Sequence, residues 1–218
     1  MRAAFCLTGE PRTFEFCYPS IQKFIIDVYH PDIFICTDGG HGDRFSELYN
    51  PLEMHVVSQM ENSEAIRGMR DKYTNHPIEA VVENNASLFY KWKICGSLKE
   101  KHGEYDVVIF GRPDMEIVRF DPGQCDMEKG TIYLPRVDAL GNSYGNDGIL
   151  YGGWGGQLSF GDESVAKVFS SMYDNIESLY DQNKEWHTER LFMKHCLNSG
   201  IKRKPFEINF RLVRSGNA

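Results

Sequence analysis

Two carboxylates that follow a buried strand are the residues of this chain best placed to do chemistry. The apolar run from Val107 to Phe110 is typical of a strand in a parallel sheet, and GRPDME follows it directly. Asp114 and Glu116 would then stand at the carboxyl end of a strand, where open α/β sheets bind ligands. Carboxylates hold Mg²⁺ or Mn²⁺, and such a cation makes a nucleoside diphosphate a better leaving group. We therefore predict that Asp114 and Glu116 are metal ligands.

The same tripeptide occurs a second time, as Asp126-Met127-Glu128. This copy follows Asp121-Pro122-Gly123 and precedes Gly130, so it lies in a turn rather than after an apolar strand. We interpret it as a solvated turn without a functional role.

The loop after the first predicted strand carries a second group of candidates, Thr8, Gly9, Glu10 and Arg12. A glycine lets a ligand approach the backbone closely, and an arginine can donate a fork of hydrogen bonds to phosphate. These residues would recognise a nucleotide base and a diphosphate. Their alternative role is an ordinary strand-to-helix turn.

Asp38 follows the second predicted strand and would hold a ribose or a base. The alternative is a surface aspartate that caps the glycine-rich loop behind it.

The elements that must position these residues alternate between strand and helix. Apolar runs and helical spacing predict strands at Arg2–Leu7, Asp32–Cys36, Met54–Ser58 and Val107–Phe110, and helices at Ser20–Tyr29, Glu61–Tyr73 and Glu83–His102. This order is typical of an α/β domain with a mostly parallel sheet. The turns at 8–12, 37–42 and 111–116 would then line one crevice.

The second half of the chain is less regular. It contains predicted strands at Thr131–Leu134, Asp147–Tyr151 and Gln157–Phe160, predicted helices at Asp162–Tyr180 and His187–Asn198, and a basic tail. We predict one domain over residues 1–218, with a nucleotide-side half at 1–117 and an acceptor-side half at 118–218.

Composition restricts the function classes. The net charge of −7 argues against a protein that grips nucleic acid by its phosphates. No stretch of the sequence approaches the roughly 20 apolar residues of a bilayer-spanning helix, so no membrane span is expected. The six cysteines form no C-x-x-C pair, which favours free thiols in a reducing, cytoplasmic compartment and no zinc site.

Two motifs carry a family resemblance. CLTGEPRTF at the start of the chain and YDVVIFGRPD before the carboxylates resemble the first loop and the metal loop of GT-A-type glycosyltransferases. The resemblance is to a branch of that family with a member encoded by a large algal virus. It implies a single GT-A-like, Rossmann-like domain with a mostly parallel central sheet flanked by helices and a smaller acceptor-side sheet.

The family motif is Asp-x-Asp, and this chain departs from it. In one register Asp114 matches the second aspartate, which binds the metal, and Arg112 replaces the first. In the other register, Asp114 and Glu116 are both ligands. Arg112 in the site would also allow neutralisation of a diphosphate without a metal.

The resemblance also points to candidates in the acceptor-side half. It implies a carboxylate that activates the acceptor, for which Asp147 and Glu189 compete, although Glu189 is also a suitable first-turn residue for a helix. Trp154 in the GGWGG turn would stack on a sugar, or the turn is an ordinary hairpin. His187 is a further metal-ligand candidate, with a structural role as its alternative.

Together these features predict an enzyme that moves a sugar from a nucleotide sugar, expected to be UDP-linked, to a hydroxyl of a glycan acceptor. The cofactor would be Mn²⁺ or Mg²⁺, and a single displacement would invert the anomeric carbon. Two alternatives remain open: a sugar-phosphate nucleotidyltransferase and a carbohydrate-binding module without catalysis.

Overall fold

The computed structural model describes residues 1–73, 79–135, 157–183 and 188–213. In these ranges the strands are β1 (Ala3–Gly9), β2 (Asp32–Asp38), β3 (Glu53–Val57), β4 (Val107–Gly111), β5 (Met115–Phe120), β6 (Thr131–Pro135), β7 (Leu158–Gly161), β8 (Lys202–Phe206) and β9 (Ile208–Leu212). The helices are α1 (Phe14–Ile21), α2 (Asp27–Tyr29), α3 (Gly42–Tyr49), α4 (Gln59–Tyr73), α5 (Glu79–Glu100), α6 (Glu163–Asn183) and α7 (Thr188–Asn198).

Seven strands form one central sheet in the order β3-β2-β1-β4-β7-β6-β8. Within the described chain, β7 alone runs antiparallel to the others, since it pairs antiparallel with both β4 and β6. The predicted α/β domain with a mostly parallel sheet flanked by helices is therefore confirmed. Strands from both predicted halves of the chain contribute to this one sheet.

The sheet separates two hydrophobic cores, because successive side chains of a strand point to opposite faces. From β1, Ala4 and Cys6 contribute to the core beneath α4, α5, α6 and α7. Phe5 and Leu7 contribute to the core beneath α1, α3 and the smaller sheet. All four side chains are buried, which holds β1 at the centre of the domain.

The helix after β1 begins earlier than the sequence pattern indicates. The prediction starts it at Ser20, but α1 starts at Phe14 and continues through a π-helical segment, Gln22–Ile26, into α2. Pro19 lies inside the helix and removes one backbone donor, which hid the upstream part of the pattern. The chain leaves α2 at His30, whose φ is 44°, directly before Pro31.

A separate sheet of two antiparallel strands is formed by β5 and β9. The interpretation of the residues after Gly200 as a basic tail is wrong, because β8 extends the central sheet and β9 pairs with β5. In β9 the side chains alternate: Ile208 and Phe210 are buried, whereas Asn209 and Arg211 are exposed. The tail is therefore a pair of strands, in which Lys202 and Arg211 are exposed.

Among the described helices, none combines the length and the apolar surface that crossing a bilayer requires. The longest of them, α5 with 22 residues, carries Lys91, Lys93 and Lys99 along its length.

Candidate functional site

A cleft of about 520 Å³ opens beyond the carboxyl ends of β1 and β2. Its walls come from the loops after these strands and from the facing sides of α4 and α5. The lining residues are Glu10, Pro11, Arg12, Asp38, Gly39, His41, Asn62, Ile66, Glu83, Asn84 and Ser87. Two of the three turns predicted to share a crevice, those at 8–12 and 37–42, thus meet there.

The loop after β1 is held to the neighbouring strands on both sides. The hydroxyl of Thr37 donates to the carbonyl oxygen of Gly9 at 2.8 Å. Gly9 has a φ of 136°, and a Cβ at this position would lie 3.4 Å from Cδ of Pro113 in the loop after β4. A side chain at position 9 would strain the backbone and crowd Pro113, so glycine is required where these two loops meet. Thr8 is buried and does not line the cleft.

Glu10 and Arg12 form an ion pair at the mouth of the cleft. Their side chains remain 51% and 33% exposed, respectively. A pair this exposed is weak and easily exchanged for a charged ligand, so the Arg12 guanidinium is accessible to phosphate.

Asp38 lies at the floor of the cleft and is held from behind by a buried lysine. Nζ of Lys91 lies 2.9 Å from one carboxylate oxygen of Asp38 and donates to the Ser87 hydroxyl at 2.7 Å. Only 5% of Lys91 is exposed. A buried ammonium needs a charged partner, so the ion pair with Lys91 holds the Asp38 carboxylate in one orientation.

The sequence analysis did not identify Lys91, Asn62 or Asn84 as site residues. For Lys91, the sequence pattern contains an indication of its role. The predicted helix carries Leu88, Trp92 and Cys95 on its apolar face, and Lys91 lies within that stripe, three residues after Leu88. A charged residue on a buried face indicates a specific partner. Asn62 and Asn84 left no such signal, because amides on helices are ordinary surface residues.

The loop after β4 contains a second cation–carboxylate pair, built differently from the pair at the mouth. Arg112 donates from Nε to one oxygen of Asp114 at 2.8 Å and from a terminal nitrogen to the other oxygen at 2.7 Å. The Asp114 side chain is fully buried, whereas that of Arg112 is 22% exposed. Burial by itself would lower the pKa of Arg112, but the Asp114 carboxylate outweighs it and the pKa is raised.

Further contacts fix this loop from two directions. The backbone N–H of Arg112 donates to the carbonyl of Gln157 before β7, and the N–H of Val213 after β9 donates to the carbonyl of Asp114 at 2.9 Å. The hydroxyl of Thr13 also bonds to the Val213 carbonyl. Asp114 is therefore enclosed between the start of α1 and the end of β9.

Glu116 lies outside this loop, in the smaller sheet. It is the second residue of β5 and pairs with Arg211, its register partner on β9. Within the part of the chain that the structure describes, Asp114 and Glu116 are thus paired with different arginines.

Asp114 and Glu116, the predicted metal ligands within the described residues, are each bound by an arginine in this arrangement. Mg²⁺ and Mn²⁺ need open carboxylate oxygens, but both oxygens of Asp114 accept hydrogen bonds from Arg112. Over residues 1–73, 79–135, 157–183 and 188–213 there is no cluster of three or more histidine, cysteine, aspartate or glutamate side chains able to hold a metal. The predicted cofactor remains untested.

Three predicted site residues, Asp147, Trp154 and His187, lie outside the described residues. Glu189 lies in the first turn of α7. Beside it, the Thr188 hydroxyl bonds to the amide oxygen of Asn85 on α5. Asn85 is buried, whereas the preceding Asn84 is exposed and lines the cleft, so α7 begins against the face of α5 that adjoins the cleft wall.

Comparison with known proteins gave no match, either to a protein-family model or to a curated protein sequence. Function is therefore inferred from the residues and geometry of the chain.

Proposed function

We propose that this protein is a glycosyltransferase that moves a sugar from a nucleotide sugar, UDP-linked, to a hydroxyl group of a glycan. The observation that carries this proposal is that the ends of β1 and β2 meet at one cleft, with the loop after β4 packed against the end of β1. In the order β2-β1-β4, the chain continues from β1 to β2 and β3 on one side and then crosses back to place β4 on the other side, and ligands of open α/β sheets bind at such a change of direction. The first-loop and GRPD motifs that resemble GT-A-type enzymes occupy two of these three ends.

The cleft suits the nucleoside. Its volume of about 520 Å³ lies in the range of small-molecule sites. Asp38 stands at the end of the strand next to β1, where an acidic residue accepts hydrogen bonds from ribose hydroxyls in nucleotide-binding sheets. Lys91 keeps that carboxylate oriented. The side-chain amides of Asn62 and Asn84 offer donors and acceptors for a base.

The diphosphate is assigned to the junction between the loops after β1 and β4. Arg12 stands on one side of this junction and Arg112 on the other, with Gly9 packed against Pro113 between them. Two guanidinium groups suit a diphosphate, because arginine matches phosphate oxygens with paired donors.

In the reaction, an acceptor hydroxyl attacks the anomeric carbon while the bond from that carbon to the phosphate oxygen breaks. The nucleoside diphosphate leaves with the bonding electron pair, and the hydroxyl proton passes to a carboxylate. Glu189 is the candidate for this base within the described residues, since α7 begins against α5 beside the cleft wall. Asp147 is the other candidate. A base on the face opposite the leaving group inverts the anomeric carbon.

Thermal unfolding with UDP, GDP or ADP, each with Mn²⁺ and with EDTA, tests the proposal. We expect UDP to raise the melting temperature, since a ligand at about 100 times its Kd adds roughly 2.7 kcal/mol. Asp38→Asn should reduce the UDP-dependent increment. Asp32→Asn, at the other end of the same strand, should keep it, because Asp32 bonds to Arg2 and Tyr105 away from the cleft.

Other outcomes point to other functions. No shift with any of the three nucleotides would contradict the proposal, and a shift with glycans alone would favour a carbohydrate-binding module. Where UDP binds, mass spectrometry of the products separates the two enzyme classes. Release of UDP from a UDP-sugar supports a transferase, whereas release of pyrophosphate from UTP and a sugar phosphate supports a nucleotidyltransferase.

A further inference from the structure

In the Arg112–Asp114 pair, the arginine faces outward and the aspartate faces inward. The carboxylate is fully buried and the guanidinium is part-exposed. Asp114 binds one edge of the guanidinium, through Nε and one terminal nitrogen. An arginine has five N–H donors, so three remain, and within the described residues they have no acceptor.

Two of the remaining donors, one on each terminal nitrogen, lie side by side at the end of the guanidinium. This edge matches two oxygens of a phosphate group. The pair stands at the carboxyl end of β4, beside the Gly9 loop of β1, where the leaving diphosphate is assigned. Arg112 is thus already oriented before any ligand binds, which reduces the entropy lost on binding.

We propose that Arg112, fixed by Asp114, neutralises the diphosphate in place of a divalent metal ion, and that binding of the nucleoside diphosphate is therefore independent of metal. This inference rests on the proposed function. In it Arg112 contacts the leaving group, and Asp114 is a positioning residue that touches only the arginine. As the bond to the sugar breaks, the charge that gathers on the departing phosphate is met by the guanidinium.

The surrounding charges are consistent with this role. Among the described residues, Glu10 in the neighbouring loop is the other acidic group that acts on Arg112, and it forms an ion pair with Arg12. Glu116 is paired with Arg211 on the smaller sheet. Each nearby carboxylate therefore has its own arginine, and Arg112 keeps its free donor edge available for an anion.

The test measures affinity for UDP and for uridine by calorimetry, in EDTA and in Mn²⁺. Wild-type protein should bind UDP with the same Kd in both, and more tightly than uridine. The neutral double variant Arg112→Gln/Asp114→Asn removes both charges without leaving one buried alone. It should weaken UDP binding by about 10- to 100-fold, as expected for lost charge-assisted hydrogen bonds, and leave uridine binding unchanged.

Two variants guard against a purely structural effect. Lys99→Gln/Glu163→Gln removes another buried ion pair, between α5 and α6, in which Lys99 is 1% exposed. Lys99 lies near the end of α5 that is remote from the cleft, so this variant should keep wild-type affinity for UDP. Arg112→Lys keeps the charge but loses the fork, and its affinity should fall between those of the wild type and the double variant.

Each result decides something different. UDP binding that needs Mn²⁺ in the wild type would overturn this inference and leave the proposed function intact. UDP binding in EDTA that survives in the double variant would also overturn it, because Arg112 would then not be the cation. Failure of every nucleoside diphosphate to bind, with or without Mn²⁺, would overturn the proposed function and this inference with it.

Discussion

The chain contains the tripeptide Asp-Met-Glu twice, and the two copies have opposite surroundings. In the first copy Asp114 is fully buried, is bound by Arg112 through two hydrogen bonds and precedes a strand. In the second copy Asp126 is 65% exposed, and its partners are Tyr133 and a flexible lysine, Lys204. Identical residues thus form a rigid internal pair in one place and a solvated surface network in the other.

The backbone between the carboxylates also differs. Met115 lies in β5 and is buried in the core under the smaller sheet. Met127 has a φ of 50°, the left-handed region that few residues other than glycine adopt. The second copy is therefore a bend that exposes its acids, whereas the first is the start of a strand that buries one acid. A short motif acquires its chemistry from the element that precedes it.

The largest difference in stability between the two copies is expected when the aspartate of each copy is replaced by alanine. We expect Asp114→Ala to lower the free energy of unfolding by about 3–5 kcal/mol, because it leaves the Arg112 guanidinium partly buried without its partner. Asp126→Ala should cost much less, since Lys204 stays solvated. Urea denaturation of both variants measures the difference, and equal losses would contradict the assignment of Asp114 to a buried pair.

Replacement of each aspartate by glutamate tests the difference in enclosure between Asp114 and Asp126, because the charge is kept and the side chain is longer. Asp114→Glu adds one methylene to an enclosed site, and we expect it to cost about 1–3 kcal/mol through displacement of the guanidinium. Asp126→Glu should leave the urea midpoint unchanged within error, because the exposed turn accommodates the longer chain. If both variants were neutral, the enclosure of Asp114 between α1 and β9 would be wrong.

The glycines next to the two regions should differ in their tolerance of a side chain. Gly9→Ala forces an unfavourable φ and crowds Pro113, and should cost about 1–3 kcal/mol. Gly130, after the second copy, has a φ of 68° and open space where a Cβ would stand, so Gly130→Ala should cost about 1 kcal/mol. Thermal unfolding ranks the two, and the reverse order would contradict the close approach of Gly9 to Pro113.

The smallest expected effect is a pH dependence of the stability that comes from Asp126 and Glu128 of the second copy. Tyr133 and then Lys204 lower the pKa of Asp126, and Lys204 and Lys202 lower that of Glu128. Groups with a lowered folded pKa stabilise the protein above their ordinary values, here 3.8 and 4.5, and this contribution disappears as the pH falls through the folded pKa.

Asp126→Asn/Glu128→Gln should therefore be less stable than the wild type at pH 7, and the two should converge as the pH falls through the lowered pKa values of Asp126 and Glu128. Urea midpoints at several pH values test this. In 1 M salt the difference at pH 7 should also shrink, because exposed pairs are screened. A difference that persisted at low pH would show that the variant acts through packing rather than charge.

Much of the first half of the fold was predictable, because its strands are short apolar runs bounded by turns. Met54–Ser58 and Val107–Phe110 match β3 and β4 within one residue. No element was predicted for α3, although Phe45 and Tyr49 have the i, i+4 spacing of its buried face. The alternation in β9 was equally visible, but the basic residues of the preceding β8 and Arg211 suggested a tail.

The position of the cleft was predictable in outline, since parallel strands bring their carboxyl ends together. The partners of the carboxylates were not. Arg112 is two residues from Asp114, yet nothing in that spacing says that the arginine turns back onto the aspartate instead of both facing a ligand. That orientation depends on Val213 and Gln157, which approach from distant parts of the chain.

By itself, the sequence determined the α/β class, the order of most strands and helices, and the presence of acids and arginines at strand ends. These follow from local periodicity, which each segment carries alone. Only the tertiary structure decided which lysine holds Asp38, which arginine holds Asp114 and that both oxygens of Asp114 are bound. Those outcomes depend on burial, and burial is set by residues far apart in the chain that pack together.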